Sequence, residues 1–409
     1  MKIVILTQWY PPEPAALQRE LAETLQASGH EITVLTGFPN YPSGKIYPEY
    51  RLRPFQREML DGIRVVRVPL YPEHSRSGLR RALNYLSFAF SCALLGPFLL
   101  KRPDTLFVYH PPLTVGFPAF VLSRLWRVPF VYQIQDIWPE TLKATGMLKN
   151  GRILYVVGRF AEWVYRKADA ICVISPGFKK NLMDKGVPKE KIHVISNWVD
   201  TGFFSRREPN QDFMNDLGLS GRFIVMYAGN IGEAQGLEVV LDAADLLRDM
   251  TSLQFVLVGD GTALPGLERE ARSRGLANVR FLGRFPPDRM PCLYSLADVL
   301  FIHLKDEDLF RITIPHKTLA YMSVGRPILA AVVGDAADVV LEAGAGLTCS
   351  PGDPRALAET VRRFRAMSAS ERLAMGRRGE KAALTRYDRH RPIGEIEAVL
   401  RSSISRTSR

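Results

Sequence analysis

The feature that most constrains this chain is an alternation of short apolar runs with longer amphipathic stretches. Lys2–Thr7 is followed by Ala15–Ser28, whose leucines recur four residues apart, and then by Ile32–Thr36. This order predicts a β-α-β unit. The same series contains further predicted strands at Ile63–Val68, Thr105–Tyr109, Phe130–Ile134, Ala170–Ile174 and Ile192–Ile195. A chain built from such units folds as an α/β protein with a parallel, doubly wound sheet.

A second series of the same kind begins after Ser205. Its predicted strands are Phe223–Tyr227, Leu253–Val258, Val279–Leu282 and Val299–His303, and its predicted helices are Leu237–Leu247 and Leu264–Arg274. A length of 409 residues is enough for two or three domains. We therefore predict two Rossmann-like domains, at residues 1–196 and 211–385, with a hinge at 197–210 and a basic helix or tail at 386–409 that can pack back on the first domain. Two such domains facing each other leave a cleft at the carboxyl ends of their strands, where α/β sheets bind ligands.

The positive charge of the chain is concentrated in two segments. Residues 51–102 hold ten Arg or Lys against three Asp or Glu, and residues 362–409 hold thirteen against five. A local excess of this kind indicates an anionic partner, either a phospholipid surface or a nucleic acid, although a solvated arginine-rich surface remains an equal alternative for the second segment. Since neither segment interleaves aromatic residues or contains a known binding motif, we do not expect nucleic acid as the partner.

Four cysteines lie far apart, at positions 92, 172, 292 and 349. They provide neither the paired spacing of a zinc site nor a dense disulfide framework. The first apolar run is too short for a signal peptide and is typical of a buried strand. We therefore expect a reducing, cytoplasmic location.

Residues 82–100 form a stretch without a single charged side chain. As a helix it would be roughly 28 Å long, close to the hydrocarbon thickness of a bilayer. A spanning helix conflicts with the topology, because strands on either side of it should share one sheet. The remaining interpretations are a buried crossover helix and a helix in the plane of a membrane surface. The second is favoured by the cations that flank the stretch, namely Arg76, Arg80 and Arg81 on one side and Lys101 and Arg102 on the other.

Two glycine turns follow predicted strands of the second series. Gly229-Asn230-Ile231-Gly232 precedes a helix, and Gly259-Asp260-Gly261 follows the next strand. Glycines there let backbone amides approach a phosphate at a helix N-terminus, although an ordinary tight turn has the same composition. Because no G-x-G-x-x-G sequence follows the first strand, a dehydrogenase is disfavoured.

Three side chains are candidates for catalysis. Lys317 follows Ile314 and Pro315 in the first turn of a predicted helix, where a lysine is unfavourable unless it meets an anion such as a diphosphate. Asp136 follows a strand and could orient or deprotonate a hydroxyl group, or could cap a helix. His110 ends another strand, where it is either catalytic or hydrogen-bonded in loop packing.

Six segments in this order resemble the family 4 glycosyltransferases of bacterial surface-polysaccharide assembly, near the fucosamine and colanic acid transferase branch. They begin with Pro11-Pro12-Glu13-Pro14 and Gln135-Asp136-Ile137-Trp138-Pro139-Glu140, and continue with Ser196-Asn197-Trp198-Val199-Asp200, the sequence from Gly229 to Glu238, Val258-Gly259-Asp260-Gly261, and the sequence from Ile314 to Met322. The resemblance covers nearly the whole chain.

The resemblance implies a GT-B fold, a nucleotide-sugar donor in the C-terminal domain, an acceptor in the N-terminal domain, retention of anomeric configuration and no required metal or other cofactor. On that mapping, Gly232 and Lys317 meet the donor diphosphate and Asp136 faces the acceptor. The other positions implied to bind the donor are Asn197, Gly229, Asn230, Asp260, Arg284, Ile314 and Pro315.

The chain also departs from the family pattern. Ile312 and Ala320 stand where the wider family has two glutamates, and Asn230 and Gln235 stand where it has an arginine and a lysine. These departures place more of the phosphate role on Lys317.

The function expected from the resemblance is transfer of a sugar from a UDP donor to a polyprenyl-diphosphate-linked saccharide, by an enzyme held on the cytoplasmic face of the membrane. A nucleotide-sugar epimerase on the same fold and a non-catalytic membrane-associated scaffold are the alternatives.

Overall fold

The computed structural model describes residues 1–75, 77–148 and 150–407, which divide into two compact units. The N-terminal unit contains residues 1–196 together with those from 389 onward, and the C-terminal unit contains residues 197–388. The chain thus changes unit at position 197, where the predicted hinge begins, and residues 197–210 belong to the C-terminal unit.

The N-terminal unit is built around one eight-stranded sheet in the order β3-β4-β2-β1-β5-β6-β7-β8. Its strands are β1 (Lys2–Leu6), β2 (Glu31–Gly37), β3 (Gln56–Leu60), β4 (Ile63–Val68), β5 (Thr105–Tyr109), β6 (Phe130–Ile134), β7 (Ala170–Val173) and β8 (Ile192–Val194). All neighbours are parallel except β3, which pairs antiparallel with β4. Every residue of β5 and β6 is buried, as expected for strands covered on both faces.

Helices cover both faces of this sheet. They are α1 (Ala16–Ala27), α2 (Gly78–Leu99), α3 (Gly116–Trp126), α4 (Glu140–Ala144), α5 (Gly151–Lys167) and α6 (Pro176–Asp184). The crossover through α1 runs in the opposite direction along the sheet from those through α2, α3 and α5. Because such crossovers are right-handed, α1 lies on one face and the other three on the opposite face. From β1 the chain first adds strands on the β2 side of the sheet and later on the β5 side. The edge of the sheet at β1 is therefore the switch point, where open α/β sheets bind ligands.

The C-terminal unit has a six-stranded parallel sheet in the order β11-β10-β9-β12-β13-β14. The strands are β9 (Phe223–Ala228), β10 (Leu253–Val258), β11 (Val279–Gly283), β12 (Val299–His303), β13 (Ile328–Ala331) and β14 (Gly346–Thr348). The helices are α7 (Gln211–Asp216), α8 (Glu238–Leu246), α9 (Leu264–Ser273), α10 (Met290–Ser295), α11 (Asp308–Arg311), α12 (His316–Ser323), α13 (Asp335–Glu342), α14 (Pro354–Ala366) and α15 (Ala369–Ala382). Here the strand order reverses between β9 and β12.

The last helix, α16 (His390–Thr407), belongs to the N-terminal unit. It packs against α1 and against β5, β6 and β7. The C-terminal segment is therefore one of the helices that cover the sheet of the N-terminal unit.

Helix α2 is the one helix among the described residues that is long and apolar enough to cross a membrane. It lies between β4 and β5, which belong to the same sheet, so it does not span a bilayer. Its buried residues are Asn84, Phe88, Ala89, Cys92 and Gly96. It is a crossover helix with one buried face, and 28% of its most apolar window is buried.

The opposite face of α2 carries a continuous row of exposed hydrophobic side chains, here called the apolar stripe. It consists of Leu79, Leu83, Leu86, Phe90, Leu94 and Phe98, which are 47–81% exposed. Successive members are three or four residues apart, so they lie on one side of the helix. Both faces of α2 are apolar, and only one is covered by protein.

Candidate functional sites in the two units

In the N-terminal unit, the predicted residues Asp136 and His110 lie at the carboxyl edge of the sheet. Asp136 follows β6 and does not cap a helix, since α4 begins at Glu140 without a side-chain cap. Desolvation raises the pKa of Asp136 to about 6. The carboxylate is thus ionised at neutral pH and close to the pKa that suits a general base.

His110 directly follows β5 and is only 1% exposed. Neither ring nitrogen has a hydrogen-bond partner among the described residues, so the packing interpretation that required a hydrogen bond is wrong. Its ring lies 5.8 Å from the ring of Trp138 in an edge-on arrangement. Burial lowers the pKa of His110 to about 3, so the imidazole is neutral at physiological pH. One ring nitrogen can donate a hydrogen bond to a ligand and the other can accept one.

Gln133 is a second buried polar residue at this edge that sequence analysis missed. It is fully buried within β6, and neither atom of its amide group has a partner in the described part of the chain. The backbone amide of His110 donates to the carbonyl of Gln133 at 3.1 Å, which places the two residues on adjacent strands. A glutamine inside an otherwise apolar strand was the available signal, because buried polar groups are normally hydrogen-bonded.

Glu13 organises the loops at the same edge. Its carboxylate accepts backbone hydrogen bonds from Tyr10 at 3.2 Å and from Asn40 and Tyr41 at 2.9 Å each. Burial raises the pKa of Glu13 to about 7, although the three amides oppose this shift. Glu13 thereby joins the loop after β1 to the loop after β2.

In the C-terminal unit, the two predicted glycine turns pack directly against each other at the ends of β9 and β10. A Cβ atom on Gly259 would lie 1.8 Å from the carbonyl oxygen of Gly229, so only glycine fits there. The backbone amide of Ile231 donates to the carbonyl of Asp260 at 2.8 Å. Asp260 itself is exposed and accepts from the amide of Gly261 at 2.7 Å. We call residues 229–236 the glycine loop.

Two hydrogen-bond donors of the glycine loop converge on a single oxygen atom. The Asn230 Nδ2 atom and the Gly232 backbone amide both donate to Gln235 Oε1, each at 3.1 Å. A diphosphate oxygen in the position of that amide oxygen would accept both bonds. The loop therefore has the donor geometry of an anion site.

Lys317 lies in the first turn of α12 and reaches the glycine loop. Its Nζ atom is 3.7 Å from the centre of the Tyr227 ring and 2.7 Å from the position that a Cβ atom would take on Gly229. Desolvation lowers the pKa of Lys317 to about 7. Lys317 is not a solvated surface lysine, because its ammonium group lies over an aromatic ring beside the loop.

His303, at the end of β12, forms a hydrogen bond with the glycine loop. It was not among the residues predicted from the sequence. Its Nε2 atom accepts from the backbone amide of Gly352 at 3.0 Å, so Nδ1 carries the proton and donates to the carbonyl of Gln235 at 2.6 Å. Burial lowers the pKa of His303, which favours this neutral form.

The other predicted donor-side residues lie around the same sheet edge. Asn197, Ile314 and Pro315 are partly buried, and Pro315 precedes α12. His316 Nε2 donates to the carbonyl of the fully buried Trp198 at 3.0 Å, which joins α12 to the segment containing Asn197. Arg284 is exposed and directly follows β11. Within the described ranges, no three His, Cys, Asp or Glu side chains are grouped so that they could hold a metal ion.

Of the predicted membrane-contact residues, Arg80 is exposed at the start of α2, and Lys101 and Arg102 are exposed just beyond its end. Arg81 is partly buried. Arg76 lies outside the described residues.

Two family models match the chain. A glycosyl transferase 4-like domain matches residues 14–198, and a glycosyl transferases group 1 domain matches residues 222–366. Together they cover the second sheet and all of the first except β1 (Lys2–Leu6), and they include Asp136, His110, the glycine loop and Lys317.

Curated proteins match at moderate identity. The putative colanic acid biosynthesis glycosyl transferase WcaI of Escherichia coli is 32% identical over 311 residues, 73% of this chain and 75% of that protein. The probable glycosyltransferase WbjE of Pseudomonas aeruginosa is 28% identical over 291 residues, 69% of this chain and 71% of that protein.

Among solved structures, Anabaena HepE in complex with UDP superposes with a TM-score of 0.74 at 18% identity, covering 98% of this chain and all of that one. WaaG, a glycosyltransferase involved in lipopolysaccharide biosynthesis, gives a TM-score of 0.66 at 16% identity, covering 97% of this chain and 99% of that one. These two comparisons show that the fold of the chain is shared with glycosyltransferases of known structure.

Proposed function

Since this chain belongs to the family 4 glycosyltransferases of GT-B fold, we propose that it transfers a sugar, with retention of anomeric configuration, from a UDP-sugar to a polyprenyl-diphosphate-linked saccharide in surface-polysaccharide assembly. The names of the colanic acid and lipopolysaccharide relatives support this pathway class. The UDP complex of the fold-related Anabaena protein supports UDP as the nucleotide of the donor.

The observation that carries the proposal is the convergence of donors at the glycine loop. Asn230 and the Gly232 amide share one acceptor oxygen, and the Lys317 ammonium lies beside Gly229. A nucleotide-sugar diphosphate supplies the two anionic groups that this arrangement accommodates. When the bond between the anomeric carbon and the β-phosphate oxygen breaks, the departing nucleoside diphosphate carries the charge that needs stabilisation. We propose that these groups, without a metal ion, neutralise that charge.

A transfer assay tests this function. Purified protein is incubated with a panel of UDP-, GDP- and dTDP-sugars and with polyprenyl-diphosphate-linked saccharides, with and without a chelator. We expect transfer from a UDP-sugar, an unchanged rate with chelator, and a product whose anomeric proton signal matches the donor configuration. Sugar interconversion without an acceptor would identify an epimerase, and no reaction across the panel would refute the proposal.

We further propose that the enzyme binds the cytoplasmic face of the membrane through the helical layer that contains α2. The apolar stripe is one part of this surface. On the same face of the sheet, α3 exposes Phe117 and Leu125, and α5 exposes Tyr155 and Val156. Residues 78–102, 116–127 and 151–167 together contain ten Arg or Lys and one Glu. Exposed apolar side chains with a cationic border favour an anionic bilayer as the occupant.

Vesicle flotation tests the membrane surface. In a double variant, Leu86→Gln with Phe90→Gln, binding to vesicles with 30% anionic phospholipid should fall roughly tenfold or more, because each side chain loses about 1–2 kcal/mol of burial. The matched control is Leu341→Gln with Leu384→Gln, two exposed hydrophobic residues of the C-terminal unit. Undiminished flotation of the first variant would refute the proposed surface.

A further inference from the structure

The N-terminal unit contains a row of four aromatic side chains to which no role has been given above. The His74 and Tyr41 rings are 4.7 Å apart, Tyr41 and Trp9 are 5.1 Å apart, and Trp9 and Tyr85 are 6.5 Å apart. All four are partly buried. They come from the loops after β1, β2 and β4 and from the second turn of α2, so the row runs along the carboxyl edge of the sheet.

Tyr85 connects this row to the candidate catalytic carboxylate. Burial raises the pKa of Tyr85, and the charges of Arg81 and Asp136 act on it in opposite directions. Tyr85 is therefore within electrostatic range of both the Arg81 guanidinium and the Asp136 carboxylate. Its backbone carbonyl is fixed by the Thr114 hydroxyl at 3.2 Å.

Arg81 lies on α2 one turn before Tyr85. Its Nε atom is buried and has no hydrogen-bond partner among the described residues. The neighbouring Arg80, in contrast, faces the Glu73 carboxylate at 3.9 Å. Arg81 also lies close enough to His74 that its charge adds to burial in lowering the pKa of that imidazole. A partly buried guanidinium that forms no ion pair within the described ranges, and that acts on a nearby imidazole, is suited to bind an anion.

The backbone around this row is held rigidly. Asn84, on the covered face of α2, accepts from Gln8 Nε2 at 2.6 Å and donates to the Tyr71 carbonyl at 2.7 Å and to Asn40 Oδ1 at 3.2 Å. Together with the Glu13 carboxylate, it fixes the loops that carry Trp9 and Tyr41. The side chains are therefore positioned before a ligand arrives.

We propose that Arg81 and His74 bind the diphosphate of the lipid-linked acceptor, and that Trp9, Tyr41 and Tyr85 bind its saccharide along the path to Asp136. This inference rests on the proposed function. Guanidinium groups bind phosphate oxygens in bidentate geometry, and the N-terminus of the 22-residue helix α2 adds positive potential. Aromatic faces offer apolar surfaces for sugar rings. Arg81 is thus assigned to the acceptor rather than to the membrane.

Direct binding separates this site from catalysis. Geranyl diphosphate is titrated calorimetrically into the full-length protein in the presence of saturating UDP, which occupies the proposed donor site. We expect equal affinity for the wild-type protein and for Arg64→Ala, which removes an exposed arginine of β4 that pairs with Glu31. Arg81→Ala should bind at least tenfold more weakly, which corresponds to about 1.4 kcal/mol. Arg81→Lys, which keeps the charge but not the bidentate geometry, should lie between them.

Transfer kinetics provide the second measurement. Arg81→Ala should raise the KM for the lipid-linked acceptor at least tenfold and leave the KM for the nucleotide sugar unchanged. Equal affinity of Arg81→Ala and wild type for geranyl diphosphate, or a rise in donor KM alone, would overturn the proposal. If no sugar is transferred by any variant and the binding difference persists, the diphosphate site stands and the transferase function fails.

Discussion

Replacing Lys317 with alanine is expected to lower kcat/KM for the nucleotide sugar by about 10²–10³-fold, the usual effect of removing one group that stabilises a developing oxyanion. The ammonium group lies beside Gly229, where the glycine loop presents its donors, and two residues that supply charge elsewhere in the family are replaced here by Asn230 and Gln235. No other cation in this chain has been assigned to that position. Steady-state kinetics with varied donor measure the loss.

The fold should survive this change. The contact of Lys317 with the Tyr227 ring is worth about 1–2 kcal/mol at a desolvated site. The melting temperature should therefore shift by only a few degrees. Lys305→Ala is the matched control, because Lys305 is an exposed lysine whose backbone amide donates to the Ala234 carbonyl of the same loop. Equal activity of the Lys317 variant and the wild-type protein would remove the role assigned to Lys317.

The pH dependence gives an independent signature of the same group. Because the pKa of Lys317 is lowered to about 7, the free protein loses this charge as the pH rises above 7. A bound diphosphate favours the protonated form, so donor binding should take up a proton and weaken as the pH rises. Lys317→Arg keeps its charge throughout this range and should abolish that dependence, whatever its effect on the maximal rate.

The strands that carry the sites were predictable because parallel, doubly covered strands are short apolar runs. The predicted bounds of β4, β5, β6, β10 and β12 agree with the structure, β2 is longer than predicted by one residue at each end, and the other predicted strands differ by one residue at one end. Strand β3 was missed because this antiparallel edge strand, Gln56–Leu60, is mostly polar. Strands β13 (Ile328–Ala331) and β14 (Gly346–Thr348) were not predicted either.

Within the sites, sequence position identified Asp136 and Lys317 because each follows a strand end or opens a helix. It could not identify partners that are distant in sequence, such as Glu13 with Asn40 or Gln8 with Asn84. The sequence also could not predict which face of α2 is exposed, because both faces are apolar. The small residues Ala89 and Gly96 and the hydrogen bonds of Asn84 select the covered one.

Replacing Asp136 with asparagine is expected to lower kcat by about 10²–10⁴-fold, the range for loss of a general base. Asn keeps the size and one acceptor oxygen but cannot take the proton of an acceptor hydroxyl. Donor affinity should be unchanged, because Asp136 belongs to the N-terminal unit and the glycine loop to the other. Donor titration alongside transfer kinetics measures both quantities, and an unchanged kcat would contradict the assignment.

Stability measurements separate this loss from unfolding. Burial raises the pKa of Asp136 to about 6, so the folded protein holds this proton more tightly than the unfolded chain. Between the usual aspartate pKa and pH 6, the contribution of Asp136 to stability therefore falls as the pH rises. The neutral asparagine does not incur this loss, so Asp136→Asn should be as stable as wild type at low pH and more stable at pH 8. Lower activity together with a higher melting temperature at pH 8 is the combined result expected.

The two groups together predict the shape of the pH profile. With the proposed roles, Asp136 acts in its ionised form and Lys317 in its protonated form, and burial moves their pKa values to about 6 and about 7. The kcat/KM of the wild-type protein should therefore be bell-shaped, with its maximum between these values. Asp136→Asn should flatten the acidic limb and Lys317→Arg the alkaline limb, each leaving the other in place. A profile whose acidic limb persists in Asp136→Asn would assign that ionisation to another group, and Glu13, whose pKa is raised to about 7, is the first to substitute next.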